Sequence, residues 1–226
     1  MNWYNQKLAK INPLEKYTRS ISGLIMKKFK DGERFFSIKN NEHGISGIRD
    51  ITVIIYYRDW SSVKVQAANY ETKEGEQDIG IDIHISKDFD QKIYSTLYLK
   101  LSSAIRHELE HCFQESSRKF KDYPFNWNKR IEEQGLEVAK QYLMHPVEIE
   151  ATVAGLYFSA KKSKKPFLSV LNMWLNKVRN FYIQNGFNEK KVNQLVSIVG
   201  REYVNYAEKR FPAAQMRVAQ YVVKSK

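Results

Sequence analysis

Along the first part of the chain Leu14, Tyr17, Ile21, Leu24, Ile25 and Met26 recur at helical spacing behind Asn12-Pro13. Residues three and four apart share one face of a helix, so this pattern predicts a helix from Pro13 to Lys30. The period then falls to two. Arg34 to Lys39, Ile48 to Tyr57, Val63 to Tyr70 and Ile79 to Ser86 read as strands separated by turn residues. In the last of them Ile79, Ile81, Ile83 and Ile85 alternate with Gly80, Asp82, His84 and Ser86, which predicts a strand with one buried face.

From about Asp90 the spacing is helical again. A long helix is expected from Lys92 to about Arg118, burying Ile93, Leu97, Leu101, Ile105, Leu109 and Cys112. A loop rich in aromatic and basic residues (120–128) and a helix from Arg130 to Leu143 follow. Pro146 opens another helix, because proline is tolerated in a first turn and not in the interior. Two amphipathic helices complete the pattern, one lined by Phe167, Val170, Leu171, Trp174, Val178 and Phe181, the other by Val192, Leu195, Val199, Tyr203 and Tyr206. Helix, small mostly antiparallel sheet, then helices predicts a single α+β domain over 1–226. Its expected parts are a helix and sheet (1–90), a central helical part (91–165) and a C-terminal helical part (166–226).

Composition narrows the classes. An aromatic content of 13% argues against disorder, and 226 residues suffice to bury a core without covalent staples. Cys112 is the only cysteine, which excludes an intrachain disulfide and a thiolate-rich metal site and suits a reducing, cytoplasmic setting. The start lacks the apolar run of a signal peptide, and no stretch is apolar enough for a membrane span. The net charge of +12 points to solvated helix ends or to an anionic partner. Its densest clusters, Lys27 to Lys30 and Lys161 to Lys165, sit where helices are expected to end, and the backbone dipole favours cations there. No nucleic-acid motif accompanies them.

Candidate chemistry is concentrated in A-I-R-H-E-L-E-H-C-F-Q-E-S, residues 104–116. Four residues apart on a helix, His107 and His111 can reach one metal ion, while Glu108, offset by one, can hold an activated water instead of binding the metal. Imidazole suits Zn2+. Two histidines and a glutamate on an ordinary helix surface are the alternative. Catalytic zinc takes three protein ligands, and the candidates for the third are Glu148, Glu150 and His145 in H-P-V-E-I-E-A. Ala151, Ala154 and Gly155 would let that helix pack closely on the first.

At this point the chain resembles the zincin metallopeptidases, specifically the glutamate-zincin group. The resemblance covers residues 79–160 at most. It implies that Glu148 is the third zinc ligand, matching the first Glu of a Glu-x-x-Ala-Asp or Glu-x-x-Ala-Asn pattern. Thr152 departs from that pattern where an acidic or amide residue usually orients the first-motif histidines. The resemblance also implies an edge strand just before the active helix, a role that residues 79–86 fit. The flanking sequence is similar to small metallopeptidase-like proteins of tailed bacteriophages, which would place the protein in the host cytoplasm.

Expected, therefore, is a zinc metallopeptidase acting on peptide or protein substrates, acidic ones favoured, with His107, His111 and Glu148 as ligands and Glu108 as general base. Tyr157 and His145 are candidates to stabilise the oxyanion. His84 could face the cleft. His43 reads as a turn residue. A non-catalytic phage structural or host-interaction protein with a structural or vestigial zinc site is the alternative, as is a zinc hydrolase of a non-peptide amide.

Overall fold

A computed structural model describes residues 3–59, 62–72, 75–88, 90–114 and 133–211, with side chains for all of these but 3–12 and 92. The fold is α+β, and the described residues form seven helices and one four-stranded sheet. Helix α1 spans Trp3–Lys30 and so runs through Pro13 instead of starting there. Proline forfeits one backbone hydrogen bond inside a helix, and the apolar face beyond it compensates: Ile21 and Ile25 are fully buried.

Strands β1 (Phe35–Lys39), β2 (Ile48–Arg58), β3 (Lys64–Glu71) and β4 (Gln77–Ser86) form the sheet, and a short helix α2 (Asn40–His43), not expected from the pattern, links β1 to β2. The spatial order is β1-β2-β4-β3. β1–β2 and β3–β4 are antiparallel, but the central pair β2–β4 is parallel, so the sheet is mixed where a mostly antiparallel one was expected. The two strands with the most complete apolar faces take the middle, and their register sets Ile51 against Ile79, Val53 against Ile81 and Ile55 against Ile83. That ordering corrects a second expectation. β4 is an interior strand, and the edge next to it is β3, whose exposed Lys64, Gln66 and Glu71 suit an edge.

Helix α3 (Gln91–Cys112) lies on the apolar face of this sheet with α1. Its Leu97, Leu101, Ile105 and Leu109 are fully buried, each worth about 1.5–3 kcal/mol, and this stripe fixes which way the histidines point. The expected extension of this helix to Arg118, the 120–128 loop and the helical start at Arg130 fall largely outside the described residues. Beyond them α4 (Gly135–Leu143), α5 (Pro146–Ser163), α6 (Phe167–Gln184) and α7 (Glu189–Arg210) build a second apolar cluster around Leu171, Val192, Val199 and Tyr203. The lysine clusters do end helices: Lys27, Lys28 and Lys30 close α1, and Lys161 and Lys162 close α5.

α3 and α5 join the two clusters, and they do so at very short range. A Cβ added to Gly155 would stand 2.8 Å from the Ser103 carbonyl oxygen and 3.5 Å from Cβ of His107. Ala151 and Ala154 beside it are buried. Gly155→Ala should therefore destabilise the protein by about 1–3 kcal/mol, even though alanine favours a helix by about 1 kcal/mol. Chemical denaturation measures this; a stabilised variant would show that the close approach is not a constraint.

Candidate metal centre

α3 and α5 bring His107, His111 and Glu148 together. Both histidines present Nε2, 3.0 Å apart. Glu148 sets one carboxylate oxygen 3.3 Å from Nε2 of His111 and the other 3.8 Å from Nε2 of His107. These atoms are the one group among the described residues whose donors all lie within 4.8 Å of one another in a metal-ligating cluster. Ligands about 2.0–2.1 Å from a tetrahedral zinc are about 3.3 Å from each other, so the spacing fits a divalent ion. Two imidazoles and a carboxylate also suit other first-row metals, and the set does not single out zinc.

A hydrogen bond with the Ala151 backbone favours the charged form of His107. Burial, then His111, pushes His107 down to about 4, and it is neutral near pH 7. Burial acts the same way on His111, but the hydrogen bond and charge of Glu148 outweigh it and raise that ring.

Glu108 is buried against this group, its carboxylate 3.9 Å from Nε2 of His107. Burial pushes it up to about 7, with Glu148 adding to the rise, while His111 and the backbone N–H of Asn69 pull the other way. Asn69 lies on the edge strand β3, which runs alongside α3, and Lys100 of α3 donates to the Val63 carbonyl just before that strand. The edge strand thus touches the carboxylate beside the metal ligands.

Glu150 goes elsewhere. Its carboxylate accepts from Arg210 at 3.1 Å and from the Tyr206 hydroxyl at 3.0 Å, both on α7. Arg210 also holds Glu110 at 2.6 Å, and Arg106 holds the other oxygen of Glu110 at 2.6 Å. Two guanidinium groups and two carboxylates therefore balance in a nearly dry cluster beneath the site. Burial alone would raise the Glu110 carboxyl, but Arg106 and Arg210 win and hold it low. Glu110 had no assignable role in the sequence; its partners explain it.

The remaining candidates separate in the same way. His145 occupies the N-cap position of α5, without a side-chain capping bond, and lies outside the ligand cluster. Tyr157 stacks on Phe211 at 4.0 Å in the second apolar cluster, away from the ligands. His84 points to the sheet face opposite α3 and stacks on Tyr56. His43 is buried at the end of α2, where its Nδ1 accepts from the Ile45 N–H. Cys112 packs against the apolar core. Thr152 hydrogen-bonds Tyr203, whose own hydroxyl donates to the Leu143 carbonyl at 3.0 Å, so it ties α5 to α7 and α4.

Sequence reasoning missed two residues that touch the ligands. Tyr142 of α4 donates its hydroxyl to Glu148; burial, then that carboxylate, raises its own pKa well above the ordinary tyrosine value. Gln114 stands 2.9 Å from Nδ1 of His111. Gln114 lies three residues beyond His111, at helical contact spacing, and that spacing is the available signal. Tyr142 left none.

Removing Arg210 would leave Glu110 with Arg106 alone and take a guanidinium from the buried Glu150. Arg210→Met should therefore lose about 3–5 kcal/mol in a denaturant titration, whereas an exposed arginine such as Arg19 replaced in the same way should cost under about 1 kcal/mol. Equal, small losses would mean that the cluster does not hold α7 to α3.

No protein-family model, curated protein or solved structure matches the chain, so the site's own geometry carries the functional reading.

Proposed function

We propose that the chain is a zinc-dependent metallopeptidase of glutamate-zincin type that hydrolyses peptide bonds. The observation that carries the reading is the convergence of His107, His111 and Glu148 around one point with the buried carboxyl of Glu108 beside it. A divalent ion bound there would supply a Lewis acid and a water acidic enough to lose its proton near neutral pH. Glu108, poised at about 7, would take that proton and hand it to the leaving amine. Tyr142 would hold Glu148 in place. The outer edge of β3, which pairs with no further strand among the described residues and contacts Glu108 through Asn69, would offer an extended peptide main-chain hydrogen bonds by strand addition. The basic surface favours acidic protein substrates. Among the described residues no helix is long and apolar enough to cross a membrane.

Zinc content and cleavage of a protein substrate, measured together, test this. The full chain should bind one zinc and cut the substrate, a chelator should abolish cleavage, and Glu108→Gln should keep zinc while cleavage falls by about 100- to 10,000-fold. Stoichiometric zinc with no cleavage by the unmodified protein, or full activity in Glu108→Gln, would favour the non-catalytic reading. A paired substitution addresses the third ligand. Glu148→Gln should lose zinc, whereas Glu150→Gln should keep it and lose stability; the reverse pattern would move the ligand to Glu150.

A further inference from the structure

Gln114 is one of few buried polar side chains near the site that is neither a metal ligand nor part of an ion pair. Its amide lies between two groups that leave it little freedom. Nε2 donates to the Val147 carbonyl at 2.9 Å and approaches Glu150 at 3.4 Å. The other end of the amide lies 2.9 Å from Nδ1 of His111. Each step of the proton assignment then follows from what the partners can do. The Val147 carbonyl only accepts, and so does the Glu150 carboxylate, so the NH2 group must face them. Oε1 therefore faces His111, and an amide oxygen only accepts. Nδ1 of His111 must then carry the proton.

We propose that Gln114 is the positioning residue of the metal centre: it holds His111 as the Nδ1–H tautomer, with the Nε2 lone pair aimed at the ion. This rests on reading His107, His111 and Glu148 as metal ligands. Two Nε2 atoms 3.0 Å apart with their lone pairs converging repel each other unless a cation or a proton lies between them. A hydrogen bond donated by Nε2 of His111 to His107 would take the proton from the Nδ1 that faces Gln114. The anchor reaches further. Glu150, the weaker partner of the Gln114 NH2, is itself gripped by Arg210 and Tyr206, so α7 helps set the orientation of a ligand it does not touch. Partners of this kind, behind metal-bound histidines, are worth about 10- to 100-fold in metal affinity.

The experiment compares the full chain with Gln114→Met, nearly the same shape without hydrogen bonds, and with Ser102→Ala. The latter removes a buried hydrogen bond of the same helix to Ser22, away from the ligands. Cobalt(II) and zinc affinities by competition with a chromogenic chelator, together with the cobalt visible spectrum, form one readout. Ring-nitrogen NMR of the metal-free, unsubstituted protein at alkaline pH, where His111 is neutral, forms the other and needs no variant to fold. The expected result is an Nδ1–H signal for His111 in the unsubstituted protein. Gln114→Met should bind both ions about 10- to 100-fold more weakly with an altered cobalt spectrum, and Ser102→Ala should bind as the unsubstituted protein does. An Nε2–H tautomer for His111, or unchanged affinity in a folded Gln114→Met, overturns the proposal and leaves the metal centre standing. Failure of the unsubstituted protein to bind either ion overturns both.

Discussion

The closeness of two helices is the constraint on which the rest of the structure depends. Gly155 of α5 lies so near the Ser103 carbonyl of α3 that even a methyl group has no room. Histidine side chains are short, and so is a glutamate reaching across from a neighbouring helix. Only at this separation do Nε2 of His107, Nε2 of His111 and the Glu148 carboxylate meet within the reach of one ion. The sheet serves the same end from the other side: its isoleucine ladder buries the leucine stripe of α3 and turns the histidine face toward α5.

Two carboxylates two residues apart on α5 are sent to different tasks by helix geometry alone. Positions i and i+2 lie about 200° apart around the axis, so Glu148 and Glu150 cannot share a target. Glu148 turns to the histidines and Glu150 to Arg210. The same division holds on α3, where His107 and His111 face α5 while Arg106 and Glu110 lie in the adjacent charged layer. Candidate ligands and ion-paired groups thus alternate along both helices, and the ion-paired layer sets two guanidinium groups against two carboxylates. That balance matters because the layer is too dry to screen an excess charge.

Elements carried by local periodicity were legible in the sequence. The leucine stripe of α3, the alternating isoleucines of β4 and the small residues of α5 each follow from spacing, and spacing is a local property. The pairing of β4 with β2 was not legible, because register between strands depends on which apolar faces meet and not on either strand alone. At the site, the two histidines and Glu108 could be placed on one helix from their numbers. Their supports could not. Tyr142, Tyr203 and Arg210 reach the centre from helices whose position only the tertiary fold decides. Thr152 shows the same limit from the opposite direction: a departure at a supporting position is accompanied by an amide three residues from His111, at the end of the ligand helix itself.

The pairing of Glu110 with Arg210 spans 100 residues of sequence. During synthesis the histidine motif leaves the ribosome long before the arginine that neutralises the layer beneath it. Until then Glu110 has Arg106 but lacks its second guanidinium, and Glu150 lacks that of Arg210. Assembly of this charged layer therefore waits on α7, the most distant described element in the sequence.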